Sequence, residues 1–223
     1  MTRVTPGMNG ENPGAAPHQG SRVDMSVAVM TRQVAAHDPR PLIVGLGGTL
    51  SEASSSERAL RFALDAAAAY GARTKLFSAQ ALDLPMYSVD RSRRTPAAIA
   101  LVDALAEADG VIIATPAYHG GISGLVKNAL DYIEDLRADE RPYLDGRAVG
   151  CIVCAYGWQA TTTTLVSLRS TVHALRGWPT PLGVAINSSQ TTFDGPGSVS
   201  DARCADQLSA LGRQVVDFVG ARR

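Results

Sequence analysis

The sequence predicts one three-layer α/β domain, a parallel sheet with helices on both faces, and three observations carry that prediction. Short apolar runs alternate along the chain with longer segments of helical period. Several runs, "GVIIATP" at 110–116 above all, are continuously apolar and β-branched, the pattern of strands covered on both faces. The connections are long enough to hold a helix, and such crossovers are right-handed in nearly all cases. That winding places ligands at the carboxyl ends of the strands.

The elements follow in order. "LIVGL" at 42–46 is the first strand, and "SSERALRFALDAAAAYG" the first helix, with Leu60, Leu64 and Ala67 on one face and Gly71 closing it. "RTKLFSA" alternates as the second strand, and the loop "QALDLPMYSVDRSRR" leads to a helix over 95–108. "GVIIATP" is the third strand, "SGLVKNALDYIEDL" the next helix and "RAVGCIVCAY" the fourth strand. "TTTTLVSLRSTVHALRG" follows as a helix, "TPLGVAIN" as a fifth strand, and "DARCADQLSALGRQVVDFVG" closes the chain helically.

This body covers residues 41–223, and 45% hydrophobic content in 223 residues suffices for a full core. Residues 1–40 scatter Pro, Gly, Asn and Gln without a period, so a largely disordered tail is expected there. Within it Val23, Val27, Met30 and Val34 stand at helical spacing, which leaves an oligomer arm as the alternative.

Composition excludes several classes. Lys plus Arg equals Asp plus Glu at 21 each, which gives no electrostatic case for nucleic acid or a membrane surface. The apolar runs fall far short of the roughly 20 residues that cross a bilayer. No charged n-region with an apolar core opens the chain, so a soluble, cytoplasmic protein is expected. Three cysteines make neither a disulfide framework nor a zinc set. Cys151 and Cys154 spell C-x-x-C inside a strand, where residues three apart face opposite sides, so no metal site is expected.

Three strand ends carry unusual loops. After the first strand, Thr49, Ser51, Ser54, Ser55 and Ser56 crowd the start of a helix, where unpaired N–H groups and partial positive charge suit a phosphate. No Walker loop or G-x-G-x-x-G is present, and the competing reading is that serines cap the helix. After the third strand, Pro116, Ala117, Tyr118, His119, Gly120 and Gly121 combine a fixed backbone, aromatic surface and glycines that let the chain lie against a planar ligand. After the fourth, Gly157 and Trp158 are placed to reach the same crevice, and Thr161–Thr164 read as helix-start capping. A phosphate cradle beside two ring-holding loops describes a mononucleotide with a wide aromatic head.

These residues carry a family resemblance. The Ser/Thr-rich first loop, "LDLPMY", "TPAYHGGISGLVKNALDYI" and "AYGWQA" together resemble the NAD(P)H-dependent FMN reductase family of flavodoxin-like proteins, over about residues 41–220. The specific part is Pro116 and Tyr118, then the glycines, then Val126, Lys127, Asn128 and Asp131. The first loop departs from the family pattern: Gly48, Thr49, Leu50 and Ser51 stand where many members place Gly-Ser-x-Arg, so the charged fork is replaced by a hydroxyl.

The resemblance implies a five-stranded sheet of order 2-1-3-4-5, with FMN phosphate on 49–56 and the flavin ring against 116–121. It implies NADPH or NADH as hydride donor, and a homodimer or homotetramer. The reduced flavin then goes to a partner monooxygenase, or the holoprotein reduces quinones or azo dyes; a flavodoxin-type carrier and a flavin-free module are the rivals. The cofactors carry the chemistry, so no catalytic side chain is nominated. His119 is the titratable group beside the ring or else a solvent-facing loop residue, His173 reads as a surface or interface residue, and Arg91, Arg93 and Arg94 read as a solvated surface charge cluster, with a site for the 2′-phosphate of NADPH as the alternative.

Overall fold

A parallel ladder begins where the first apolar run begins: Leu42–Gly47 (β1) is buried along its whole length and pairs with both of its neighbours. The computed structural model describes residues 38–51, 54–195 and 197–222. The N-terminal tail or arm falls almost wholly outside the described residues. Pro39–Arg223 forms one unit and carries every element below.

Ser54 starts the helix Ser55–Ala69 (α1), because its hydroxyl accepts the Glu57 N–H that a first turn leaves unpaired. Arg73–Phe77 (β2) follows, then short 3-10 turns at Ala79–Leu82 and Arg91–Arg93. Thr95 caps Pro96–Glu107 (α2), whose proline stands in the first turn, where its missing N–H costs nothing. Gly110–Tyr118 (β3) returns to the sheet, Gly121–Ile122 (β4) folds back on it, and Ser123 caps Gly124–Asp131 (α3), which tightens into a 3-10 turn to Leu136. Ala148–Ala155 (β5), Trp158–Ala174 (α4), Trp178–Pro179 (β6), Val184–Asn187 (β7) and Ala202–Arg222 (α5) complete the chain.

The sheet order is β2-β1-β3-β5, with β6 and β7 both parallel to β5 at its outer side. Of the expected fifth strand at 180–187 only β7 joins the sheet, against Ile152–Ala155, and β6, just ahead of it, pairs with Ala148–Val149. Pro179 and Pro181 bring no N–H to the ladder, so the chain leaves it between them and β7. Thr180 N–H still reaches Val149 O at 3.0 Å, while Leu182 N–H turns to Gln214 Oε1 at 3.1 Å.

The alternation of β-strand side chains divides the core in two. On one face Val44, Leu46, Val111, Ile113, Val149 and Val153 pack against α2, α3 and α4. On the other Ile43, Ile112, Ile152, Val184 and Ile186 meet Leu60 and Leu64 of α1 and Leu208, Leu211 and Val215 of α5. Each fully buried aliphatic side chain contributes about 1.5–3 kcal/mol, so the two layers fix the sheet between its helices. Cys151 belongs to the first layer and Cys154 to the second, as their spacing predicts.

Candidate functional site

β1, β3 and β5 run side by side, with Gly47 opposite Ala114 and Pro116 opposite Cys154. Their carboxyl ends form one edge, and the strand order reverses between β1 and β3, where a crevice opens in folds of this kind. The structure thus brings the three predicted loops to a common edge.

The first loop leaves β1 through two glycines of positive φ. A Cβ on Gly47 would stand 2.0 Å from the Ala114 carbonyl oxygen, so only glycine lets β1 end this close to β3. Gly48 N–H then bonds Ala114 O at 3.1 Å. Thr49 Oγ1 accepts from Ser51 N–H at 3.1 Å and donates to Ser51 O at 3.0 Å, closing a tight exposed turn. Ser54 Oγ accepts from Glu57 N–H at 3.3 Å and lies 3.3 Å from Ser56 Oγ. Capping therefore accounts for Ser54, with Ser56 beside it, and turn closure for Thr49. Ser51 is exposed and Ser55 half-buried at the first position of α1, next to the helix's unpaired amides.

Glu57 closes the site from behind. It is buried, its Oε1 accepts from Arg61 Nε at 2.9 Å and Nη2 at 2.7 Å, and its Oε2 is buried without a hydrogen-bond partner.

The second loop is a hairpin rather than a flat glycine strap. Pro116 and Ala117 are buried in β3, Tyr118 pairs with Gly121, and Ala117 pairs with Ile122. His119 (φ 53°) and Gly120 (φ 78°) form the two-residue turn, the combination of two positive φ values that matches strand twist. Thr115 and Ser123 hold its base: Thr115 Oγ1 accepts from Ser123 N–H at 3.1 Å and donates to Pro116 O at 2.9 Å. Tyr118 stays 61% exposed, and His119 is exposed beside it.

The third loop begins a helix earlier than expected. α4 starts at Trp158 with Gly157 as its cap and no side-chain acceptor, so its first amides face the carboxyl edge unpaired. Thr161 and Thr162 both donate to Trp158 O at 2.8 Å, and Thr163 to Gln159 O at 2.9 Å; they bond backward and cap nothing. Tyr156 (81% exposed), Trp158 (52%), Tyr118 and Met86 (80%) stand exposed at or beyond the carboxyl ends of β5, β3 and β2.

A fourth loop, after β2, is clamped by residues whose roles the sequence hides. Asn128 Oδ1 accepts from Tyr87 N–H at 2.8 Å, while its Nδ2 donates to Leu84 O at 3.2 Å and Pro85 O at 3.0 Å. Tyr132 Oη adds a bond to Pro85 O at 2.9 Å. Arg94 lies over the rings of Tyr87 (4.8 Å) and Tyr132 (5.1 Å) and grips Asp135 with Nε at 2.6 Å and Nη2 at 2.8 Å. These bonds from Arg94 hold the Asp135 carboxyl below the ordinary carboxylate range. Arg94 is thus a structural cation, and Arg91 also reaches Asp135, at 3.5 Å, with its side chain 66% exposed. Arg93 is exposed, as is His173 on α4.

Leu130, Ile133 and Leu136 are core residues, and Leu125 is half-buried against them. Burial pushes the Cys151 thiol up to about 12 and raises Cys154 as well, so neither is a reactive thiolate.

Comparison with known proteins identifies the family and the fold. The profile of the family described as NADPH-dependent FMN reductase matches residues 41–191. An NADPH azoreductase of Bacillus sp. is 28% identical over 106 residues, 47% of this chain and 56% of that protein. An NAD(P)H-dependent FMN reductase of Pseudomonas aeruginosa is 28% identical over 176 residues, 76% of this chain and 92% of that protein. The solved structure of a flavoenzyme NAD(P)H:(acceptor) oxidoreductase from Paracoccus denitrificans superposes with a TM-score of 0.62 at 20% identity, covering 81% of this chain and 98% of that one; it speaks to the fold. No helix among the described residues is long and apolar enough to cross a membrane.

Proposed function

The chain belongs to the NADPH-dependent FMN reductase family, and from that premise we propose that its carboxyl edge holds FMN and uses it to oxidise NADPH or NADH. One observation carries the reading. Two helix N-termini, that of α1 with its hydroxyl loop and that of α4 with no side-chain cap, flank the β3 hairpin and its exposed rings on a single edge. An anion and a wide apolar plane, joined in one ligand, suit that combination.

The residues fit the group. Thr49, Ser51, Ser54, Ser55 and Ser56 surround the phosphate end, and the glycine approach at Gly47 and Gly48 keeps side chains out of its way. Pro116, Ala117, Tyr118, His119, Gly120 and Gly121 form one wall for the ring, and Gly157 and Trp158 the other. The α4 amides at Gly157–Trp158 would offer donors to negative charge on a bound flavin without any proton transfer. Bound FMN supplies the hydride chemistry; the chain's part is to hold two rings in register and leave one face open.

An electron acceptor would reach a bound flavin from the side of these exposed rings. The exposed aromatic surface suits a flat acceptor, and the azoreductase relative makes azo dyes or quinones a second reading beside release of reduced flavin to a monooxygenase. Three unpaired, buried cysteines fit a reducing cytoplasm, and a homodimer or homotetramer remains our expected assembly.

The test keeps the Ser54 cap intact. Ser51→Ala with Ser55→Ala should weaken FMN by about tenfold while riboflavin, which lacks the phosphate, changes little. Equal losses for both ligands would remove the phosphate assignment. Following absorbance at 340 nm with FMN and NADPH separates a reductase from a carrier, which would leave the nicotinamide unconsumed.

A further inference from the structure

A cleft of about 880 Å³ runs beside α1, between that helix, β2 and the turn that follows it, and the segment around Phe193. No residue assigned above to FMN lines it. It begins at Glu57 and Arg58, in the same first turn of α1 whose N-terminal end carries the hydroxyl loop. The head of the cleft is thus within one helical turn of the phosphate loop.

Its lining has a mixed chemistry. Arg58, Phe62 and Asp65 follow one another at helical spacing, with Arg61 beside them, so cation, ring and carboxylate stand in one row. Arg58 donates one N–H to the Phe193 carbonyl, which joins the far wall to α1 and uses one of the five donors a guanidinium carries. Phe62 and Phe193 supply apolar surface, and Ser78 a hydroxyl at the end of β2. Glu57 does not repel an anion there, because Arg61 neutralises it through two bonds of 2.7 and 2.9 Å. Its buried Oε2 remains an acceptor without a donor at the head of the cleft, a condition that costs free energy until a donor arrives.

A ligand for this lining carries a phosphate, an aromatic base and donor hydroxyl or amino groups, and a volume of this size lies within the usual range of ligand pockets. We propose that the cleft beside α1 takes the adenosine-phosphate half of a dinucleotide whose other half lies on the carboxyl edge. Arg58 meets the phosphate, Phe62 and Phe193 wall the base, and Asp65 and Ser78 take its polar edge. The assignment rests on the FMN reading, and two dinucleotides share its chemistry: FAD, continuous with the flavin, and the nicotinamide substrate.

Thr74→Trp obstructs the cleft from the exposed outer strand without touching the core, and Arg58→Gln, which removes the guanidinium set against the phosphate, is the second variant. FMN and FAD affinities of the flavin-free protein and steady-state NADPH oxidation by the FMN-loaded protein are measured for both. FMN binding should stay within about twofold in Thr74→Trp, while either the FAD dissociation constant or the KM for NADPH rises about tenfold, with kcat unchanged. A rise for FAD assigns the cleft to the flavin's adenosine, and a rise in KM assigns it to the nicotinamide's. If FMN binds normally and neither quantity moves in either variant, the proposal is overturned alone. A wild-type chain that takes up no flavin overturns the functional reading and this proposal with it.

Discussion

Replacing Asp135 with Asn removes the charge from the clamp on the loop after β2 and keeps its shape. The carboxylate and the Arg94 guanidinium are both nearly buried, at 6% and 8% side-chain exposure, and meet through bonds of 2.6 and 2.8 Å. Stranding one member of a buried pair costs about 3–5 kcal/mol when nothing else receives it. Arg94 keeps the Ser88 carbonyl at 2.7 Å, the Asp90 carbonyl at 3.3 Å and two tyrosine faces, and Asn still offers one oxygen. The expected loss is therefore smaller, about 2 kcal/mol at pH 7. Urea unfolding of both proteins measures it. The pH arm has a definite sign. Asp135 titrates below its unfolded value of roughly 3.9, so its contribution is complete above about pH 4 and is lost as pH falls through the folded value. Asn does not titrate, so the gap between the two proteins should close on acidification. A difference under about 0.5 kcal/mol at pH 7, or one that stays constant into acid, would refute the clamp.

Two further substitutions probe the frame of the site. Asn128→Ala removes three bonds to the backbone of 84–87; about 2 kcal/mol should be lost, lowering Tm by roughly 4–8 °C. An unchanged Tm would show that the Tyr132 hydroxyl and Arg94 hold that loop without Asn128. Gly47→Ala places a methyl 2.0 Å from a β3 carbonyl that has no room to move, so a loss of about 3 kcal/mol and a large fall in soluble yield are expected. A variant that unfolds at the wild-type urea concentration would contradict the close approach of β1 and β3.

The sheet and its two layers were legible because periodicity is a local property. Val44, Val111 and Val149 are apolar on positions that any parallel pairing would bury, and Ser54 announces a helix start from its own side chain. What escaped depends on partners distant in sequence. Arg94 reads as a surface cation until Asp135, 41 residues on, is folded against it. Asn128 was visible as part of a motif, but its grip on Tyr87 is a tertiary fact. The β3 hairpin had a faint local signal in its His-Gly pair, weaker than Asn-Gly or Asp-Gly, and the early start of α4 had none because Gly157 brings no capping side chain. The hydroxyl cluster was overread on one point: several of its members have local work in turn and cap, so the loop's fitness for an anion rests on backbone amides as much as on side chains.

The broken outer strand has a consequence for how the protein behaves at high concentration. An uninterrupted strand at the border of a sheet is a template on which another copy can add itself. At one border, Pro179 and Pro181 interrupt that row and leave only the four residues Val184–Asn187 to extend it. At the other, β2 presents Arg73 and Lys75, charges that resist a second strand. Guarded on both sides in this way, the sheet can gather a crowded array of apolar strands and still discourage copies from polymerising through their backbones.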